Sequence, residues 1–389
     1  MIKRIITTTN SNSYFLFGAR GTGKSTLIRK LLSDIPENLV LIEDLLQLEA
    51  EDRYRRQPDR LEAIIKGKPG LEWVFIDEIQ KLPRLLDVIH RCIETYGTKF
   101  ILTGSSARKL KRGGANLLAG RAFVYHLFPF STFELEDAFD LQRVLQWGSL
   151  PTVYLAENDE DRFQHLRAYA LTYLKEEIQV EQLVRNLDPF RFFLEIAAQT
   201  NGKVLNNSAI AKQVGVDHKT VQSYFQILED TLLGFVLPSF HQSARKSQLK
   251  SPKFYFFDTG VKRALERTLD VTLNPRTSAY GEAFEHWVIL EAHRLNETLQ
   301  RDYRLSFFLS KDNVEIDLIL SKPGETILIE IKSAKNLDHD KVRRFSRLAT
   351  DFSPTQSYWL SQDDTAQEIE GVRCLDWKSG LKEIFSLVA

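Results

Sequence analysis

The sequence predicts an α/β protein of several domains, and three observations carry that prediction. Residues 18 to 25 read Gly-Ala-Arg-Gly-Thr-Gly-Lys-Ser directly after the apolar run Tyr14-Phe15-Leu16-Phe17. Short apolar runs then alternate with helical stretches to about residue 132, the pattern of a parallel sheet with helices on both faces. Far downstream, Val314–Leu320 and Ile327–Lys332 read as two strands, the first carrying Asp317 and the second Glu330 and Lys332.

The first of these is a full match to the phosphate-binding loop of P-loop NTPases. Gly18, Gly21 and Gly23 allow a tight turn, so that successive N–H groups and the next helix's N-terminus face the phosphates. Lys24 would reach the β- and γ-phosphates and Ser25 would ligate Mg²⁺, while Ala19, Arg20, Thr22 and Thr26 complete the nucleotide-contacting segment. The helical stretch Thr26–Leu32 supplies the context the pattern requires.

The next element is Trp73-Val74-Phe75-Ile76, four apolar residues ending in Asp77-Glu78, the form of a Walker B strand. Asp77 is placed to hold the Mg²⁺ hydration shell, and Glu78 to polarise the attacking water as general base. A third strand, Lys99–Thr103, runs into Gly104-Ser105-Ser106. Thr103 and Ser105 are candidates to sense the γ-phosphate; a hydroxyl capping a helix from Ala107 onward is the competing reading. Beyond it, Leu118-Ala119-Gly120-Arg121 leads into a strand-like run from Ala122 to Phe128. Arg121 would stabilise charge on the transferring phosphoryl group, in its own subunit or a neighbour's, or else form a surface ion pair.

Here the strings GARGTGKST, WVFIDEIQKLP, ILTGSSARKL and LAGRAFVYHLFPFSTFE resemble the AAA-type ATPase domain of a large group of prokaryotic ATPases. In that group the domain is followed by a helical region, a winged helix and a C-terminal domain of unknown function, of the DUF4143 type, with a restriction-endonuclease-like fold. GSLPTVYL, SPKFYFFDTG, GEAFEHWVILE, VEIDLIL and ILIEIKS are similar in order as well. The resemblance implies a P-loop AAA+-like core, and ATP rather than GTP as the nucleotide.

Composition narrows the rest. With 389 residues, 43% of them hydrophobic, the chain is long enough for two or three domain cores. Lys plus Arg and Asp plus Glu both number 52, so any nucleic-acid surface must be local. Cys92 and Cys374 match no zinc spacing and fit a reducing compartment. No apolar run is long enough to span a bilayer and no signal-peptide core follows Met1, so a soluble cytoplasmic protein is expected.

Four segments follow: an ATPase core over 1–132, a helical subdomain over 133–200, a winged helix with basic connector over 201–274, and a nuclease-like α/β domain over 275–389. In the second, Phe163, Leu166, Ala170, Tyr173, Leu174 and Ile178 recur at helical spacing as a core stripe. In the third, a helix from Asn207 turns at Gly215 into a second helix capped by Asp217, whose exposed positions would include His218, Lys219, Gln222 and Ser223. Lys219 and Gln222 are candidates to meet DNA in a major groove, although winged helices also serve as spacers or protein-binding modules. The stretch His241–Lys253 holds Arg245, Lys246, Lys250 and Lys253 and no acid, which suits phosphate contacts or a solvated loop.

In the fourth segment, Val314, Ile316, Leu318 and Leu320 are expected on one face of their strand and Glu315 and Asp317 on the other. Glu330 and Lys332 project together from the next strand, where Asp317 can meet them. Asp, then Glu-x-Lys, is the PD-(D/E)xK signature of restriction-type nucleases: the carboxylates of Asp317 and Glu330 hold Mg²⁺ or Mn²⁺, and Lys332 stabilises charge or orients water. Glu285, in Gly281-Glu282-Ala283-Phe284-Glu285, resembles the helix acid that completes such a metal site. An Asp317–Lys332 or Glu330–Lys332 ion pair on a sheet surface is the plainer alternative.

The expected function is a Mg²⁺-dependent ATPase acting on DNA, with ATP state controlling a winged helix and a nuclease-like domain that binds or cuts it. The alternative is a nucleotide-dependent switch with a protein partner and an inactive nuclease-like fold. An arginine supplied in trans would add a homo-oligomer.

Overall fold

The computed structural model describes residues 2–106, 117–173, 187–241, 251–310, 312 and 314–387. The chain divides into two compact units: Arg4–Pro129 with Ile227–Leu233, and Met1–Lys3 with Phe130–Gln226 and Gly234–Ala389.

The first unit runs β1 (Ser13–Phe17), α1 (Lys24–Leu32), β2 (Val40–Asp44), α2 (Leu48–Arg56), α3 (Arg60–Lys66), β3 (Trp73–Asp77), α4 (Leu85–Tyr96), β4 (Lys99–Gly104) and β5 (Ala122–His126). The five strands form one parallel sheet in the order β2-β3-β4-β1-β5. All five residues of β1 and of β3 are buried, because helices cover both faces. The two-residue repeat sorts them: Phe15, Phe17, Val74 and Ile76 pack with α3 and α4, while Tyr14, Leu16, Trp73 and Phe75 pack with Ile28 and Leu32 of α1. Because the strands are parallel, Phe17, Asp77 and Gly104 all end at one edge of the sheet, and the sequence places its chemistry there.

In the second unit, α5 (Leu141–Trp147), α6 (Asp159–Ala168), α7 (Leu187–Gln199), α8 (Asn207–Val214) and α9 (His218–Asp230, whose last turn belongs to the first unit) precede β6 (Gly234–Leu237). β6 pairs antiparallel with β7 (Lys253–Phe256), and α10 (Thr259–Leu265) follows. Leu166 of the expected stripe is buried and Phe163 and Ala170 are half-buried; Leu174 and Ile178 lie outside the described residues, as does any helix at Ala107. Phe190 and Phe193 of α7 pack against Tyr224 and Phe225 of α9, which fixes the α8–α9 pair on the helical layer.

Strings far apart in sequence meet in this unit. A Cβ on Gly260 would stand 2.0 Å from the Trp147 carbonyl oxygen, and one on Gly148 would stand 2.1 Å from Asp258 Oδ1, so both contacts require glycine. Beside them, Arg294 donates to the Phe130 and Phe257 carbonyls at 3.2 and 2.9 Å and pairs with Glu291 at 3.1 Å. Glu291 in turn accepts from Ser131 Oγ and Thr132 N at 2.9 and 2.8 Å, so this buried ion pair is held by hydrogen bonds on both sides, with Arg294 Nε left without a partner.

The chain continues through α11 (Ser278–Thr298), β8 (Arg304–Leu309), β9 (Glu315–Lys322), β10 (Glu325–Ile331), α12 (His339–Ala349), β11 (Gln356–Ser361), β12 (Gln367–Ile369), β13 (Val372–Asp376) and α13 (Trp377–Ile384). The six strands make one mixed sheet in the order β12-β13-β11-β10-β9-β8. Phe345 of α12 packs on Trp359, and Gly380 of α13 packs on Leu360, the adjacent residue pointing the other way. These two helices therefore cover opposite faces.

The expected strict alternation in β9 is corrected. Between the pairs Ser306↔Ile319 and Phe308↔Ile316, β8 advances two residues and β9 three, so β9 carries a bulge around Asp317-Leu318. Ile316 and Ile319 consequently enter the same core cluster, and Ile316 does not share a face with Leu318 and Leu320. No described helix is long and apolar enough to cross a membrane, and Cys92 and Cys374 are both buried free thiols.

Candidate active sites

The loop between β1 and α1 is shaped by its glycines. A Cβ on Gly18 would stand 2.3 Å from the Leu127 carbonyl, and Gly21 and Gly23 take φ of 82° and 91°. Thr22 Oγ1 ties the loop to the Ala19 carbonyl at 2.9 Å, and Arg4 donates to the Thr22 and Phe128 carbonyls from outside. Lys24, only 6% exposed, curls back to donate to the Gly18 and Ala19 carbonyls at 2.7 and 3.2 Å. Arg20 and Thr26 are exposed, while Ala19 and Thr22 are buried.

Asp77, 3% exposed at the end of β3, is gripped from two elements. Ser25 of α1 donates to its Oδ2 at 2.5 Å, and Thr103 of β4 donates to its Oδ1. Glu78 follows in a left-handed conformation, φ 60° and ψ 47°, which is strained for a residue with a Cβ. Gln80 Nε2 donates both to Glu78 Oε2 and, at 3.0 Å, to Ser105 Oγ. Thr103 thus serves the Asp77 carboxylate, whereas Ser105 joins the Glu78 network.

Arg121 sits elsewhere. It precedes Ala122, the register partner of Ser13, whereas the phosphate-binding loop leaves the sheet at Phe17, opposite His126. Five residues of strand separate those levels, about 17 Å at strand rise, beyond the reach of an arginine side chain. Its guanidinium pairs with Glu94. A role toward the nucleotide of its own subunit is closed to it by that distance.

At the C-terminal sheet the structure gathers the other expected residues into one cluster. Lys332 Nζ lies 3.1 Å from Asp317 Oδ2 and 2.6 Å from Glu330 Oε1, and the Ile331 amide donates to Asp317 Oδ2 at 2.7 Å. Glu330 Oε2 is buried without a hydrogen-bond partner. Glu285 reaches in from α11, accepting from Tyr255 Oη at 2.9 Å. Burial, then the neighbouring Asp317 carboxylate, pushes Glu285 up to about 7 and Glu330 up to about 8. Burial opposes the charge of Lys332, but Asp317 and Glu330 outweigh it and raise its pKa.

Lys253 departs from its expected place. The first residue of β7, its side chain 5% exposed, it stands 2.5 Å from Glu315 Oε1 and 3.5 Å from Glu285 Oε1 instead of facing solvent as a phosphate contact. Burial disfavours its charge, but Glu285 and Glu315 more than offset this and raise its pKa. Lys219 and Gln222 are exposed on α9, and Arg245, Lys246 and Lys250 lie outside the described residues. Among the described residues, no group of three or more His, Cys, Asp or Glu is arranged to hold a metal ion. The amines of Lys253 and Lys332 stand among the carboxylates instead.

Residues 10–136 match the family described as an AAA domain. The chain carries an AAA domain. Residues 138–272 match a domain of unknown function (DUF8612), and residues 280–379 another (DUF4143). An uncharacterized protein of Mycobacterium tuberculosis is 25% identical over 322 residues, 82% of this chain and 69% of that protein. One from Haemophilus influenzae is 21% identical over 342 residues, 81% of this chain and 80% of that protein. Among solved structures, the Aeropyrum pernix ORC1 protein in complex with DNA aligns with 66% of this chain and 86% of its own, at 15% identity and TM-score 0.27. AMPPCP-bound DnaA from Aquifex aeolicus aligns with 57% and 82%, at 15% identity and TM-score 0.29.

Four residues that sequence patterns do not single out join these sites: Arg4 and Gln80 at the phosphate-binding loop and the end of β3, and Tyr255 and Glu315 at the C-terminal cluster. Gln80 alone had a local signal, its place two residues after Glu78 at the strand's end. Arg4 braces a carbonyl 124 positions away, which no local pattern encodes.

Proposed function

We propose that this chain is a Mg²⁺-dependent ATPase acting on DNA, in which the nucleotide state controls a winged helix (α8, α9, β6 and β7) and a nuclease-like C-terminal domain. The observation that carries it is Ser25 against Asp77, with Lys24 one residue before and Glu78 one residue after. A hydroxyl and a carboxylate oxygen form the hard oxygen donor set Mg²⁺ takes, so Ser25 and Asp77 fit as its residues. Bound there, Mg²⁺ would neutralise charge on the β- and γ-phosphates. Lys24 would leave the Gly18 and Ala19 carbonyls for those phosphates. Glu78, held by Gln80, would accept a proton from the attacking water, and Ser105 on the same amide would report the γ-phosphate. Arg121 would act on the nucleotide of a neighbouring copy, which makes the working form a homo-oligomer.

The DNA half rests on α9, which exposes His218, Lys219, Gln222 and Ser223 on one face, and on the basic stretch with Arg245, Lys246 and Lys250. At the C-terminal cluster Glu285, Asp317 and Glu330, with the orphaned Glu330 Oε2, are oxygen donors of the type Mg²⁺ takes, but they are not grouped around a place for an ion, and Lys253 and Lys332 stand among them. Lys332 would stabilise charge on a phosphodiester. One observation favours the second reading, a nucleotide switch with a protein partner: both lysines already pair with the carboxylates.

The test is steady-state ATP hydrolysis without DNA and with linear, forked and four-way-junction DNA, with Lys24→Ala as blank, beside DNA binding across a salt series. Stimulation by one form, and binding that weakens by about 0.9 log units per log unit of salt for each phosphate neutralised, is expected. No DNA binding at low salt would transfer the proposal to the protein-partner reading.

A further inference from the structure

Arg4 precedes β1 and lies outside the phosphate-binding motif, yet its side chain grips that motif's backbone. Nη1 donates to the Thr22 carbonyl at 3.0 Å and Nη2 to the Phe128 carbonyl at 2.5 Å. Thr22 is fully buried, and its other polar groups are engaged as well: its amide and its Oγ1 donate to the Ala19 carbonyl at 3.4 and 2.9 Å. The segment leaving β5 is equally fixed, because the Leu127 amide donates to the Phe17 carbonyl at 2.7 Å and the Leu127 carbonyl packs against Gly18. One guanidinium fork therefore fastens the Thr22 end of the loop to the segment that already holds its Gly18 end.

The direction of the Thr22 carbonyl decides that of the next amide, since a trans peptide points its C=O and N–H opposite ways. Turning that plane over rotates ψ of Thr22 and φ of Gly23, and glycine admits either sign of φ. Gly21 at φ 82° and Gly23 at φ 91° thus leave the plane between them with little steric restraint of its own. We propose that Arg4 is a positioning residue of the nucleotide site: by holding the Thr22 carbonyl it locks the Thr22–Gly23 peptide with its N–H toward the phosphates. The inference rests on the reading of Gly18–Ser25 as that site. Gly23 is the N-cap of α1, and no side chain caps this helix, so its amide joins those of the first turn as a donor to an anion. Arg4 acts in two ways. It orders the loop before nucleotide arrives, which removes an ordering cost from binding. It also polarises the peptide from behind, so that the donor chain runs from guanidinium through carbonyl and amide to phosphate. Lys24 holds the Gly18 and Ala19 carbonyls in the empty loop, whereas the Thr22 carbonyl is left to Arg4.

The experiment measures equilibrium ATP binding and steady-state turnover in Mg²⁺ for wild type, Arg4→Gln, Arg4→Lys and Lys24→Ala, with urea unfolding of each to establish that it is folded. Arg4→Gln should bind ATP at least about tenfold more weakly and raise KM to match, the range for losing hydrogen bonds from a charged donor. Its kcat at saturating ATP should fall by less than about threefold, because the interaction serves bound substrate and transition state alike. Arg4→Lys keeps the charge but not the planar fork, and should bind about three- to fivefold more weakly than wild type. If Arg4→Gln does not fold, Arg4→Lys decides alone. Wild-type ATP affinity in either folded variant, or a fall in kcat with KM unchanged, overturns the role of Arg4 and leaves the nucleotide site standing. Equal ATP binding by wild type and Lys24→Ala removes the nucleotide-site reading, and the role of Arg4 with it.

Discussion

Ser25 Oγ donates to Asp77 Oδ2 at 2.5 Å, tying the first turn of α1 to the end of β3, a strand separated from β1 by β4. With Thr103 on the other carboxylate oxygen, the Asp77 rotamer is fixed before any ligand arrives. Thr103→Val leaves the Ser25 contact but frees one oxygen. ATP turnover should fall by about tenfold to a hundredfold, the usual range for removing a group that orients a ligand, with KM changed less than about threefold. A KM rise with kcat intact would place Thr103 in substrate binding instead.

Gln80 should be as important as a residue can be without touching substrate. Gln80→Leu keeps the volume and removes the amide that holds Glu78 and Ser105. The account expects kcat to drop by about a hundredfold while ATP affinity, measured by equilibrium binding, stays within about threefold. Turnover equal to wild type would show that Glu78 finds its position unaided.

Arg121 supplies an oligomer test. Arg121→Ala and Lys24→Ala should each be inactive alone, and mixing them should restore part of the rate, because a Lys24→Ala subunit can still lend its arginine to a competent neighbour. Full activity of Arg121→Ala alone would reduce Arg121 to its ion pair with Glu94.

Two glycines of the second unit should respond differently to alanine. Gly148 has φ 76° and ψ −169°, a region open almost only to glycine, and its Cβ would strike the Asp258 carboxylate at 2.1 Å. Gly148→Ala should cost about 3 kcal/mol or more. Gly215, φ 76° and ψ 34°, has nothing within 4 Å of the added carbon, so Gly215→Ala should cost only about 1 kcal/mol. Chemical denaturation measures both, and equal losses would contradict the packing described.

His286 gives a pH signature. Buried, with Nε2–H donating to the Phe256 carbonyl at 2.7 Å, it is held neutral, its pKa pushed down by burial to about 3. Its folded value lies below the unfolded one of about 6.5, so its contribution is present above pH 6.5 and lost as pH falls toward 3. Glu285 and Glu330 are shifted the opposite way, so the effect must be read as a difference. The stability gap between wild type and His286→Gln should shrink by up to about 1.4 kcal/mol per pH unit below pH 6, measured by urea unfolding. A constant gap between pH 7.5 and 5 would mean that His286 takes up its proton without cost.

Much of this was legible in the sequence, and the failures share a cause. The phosphate-binding loop and the strand ending in Asp77-Glu78 were readable because a fully buried parallel strand shows as an unbroken apolar run with its chemistry at one end. Asp317, Glu330 and Lys332 were readable from two-residue spacing on adjacent strands. That same spacing misplaced Ile316, since a bulge leaves no mark in composition. Lys253 closes a run of basic residues in the sequence, yet as the start of β7 it belongs to the sheet. Its partners Glu285 and Glu315 are brought to it only by tertiary structure, as Phe128 is brought to Arg4.

The most direct test of the central claim is ATP turnover by Glu78→Gln in Mg²⁺, set beside its equilibrium affinity for ATP. The account predicts wild-type ATP binding with turnover reduced by at least about a hundredfold, since only the base is removed. Glu78→Gln turning over ATP at the wild-type rate would contradict the assignment of the AAA domain's strand-end glutamate as the group that activates water.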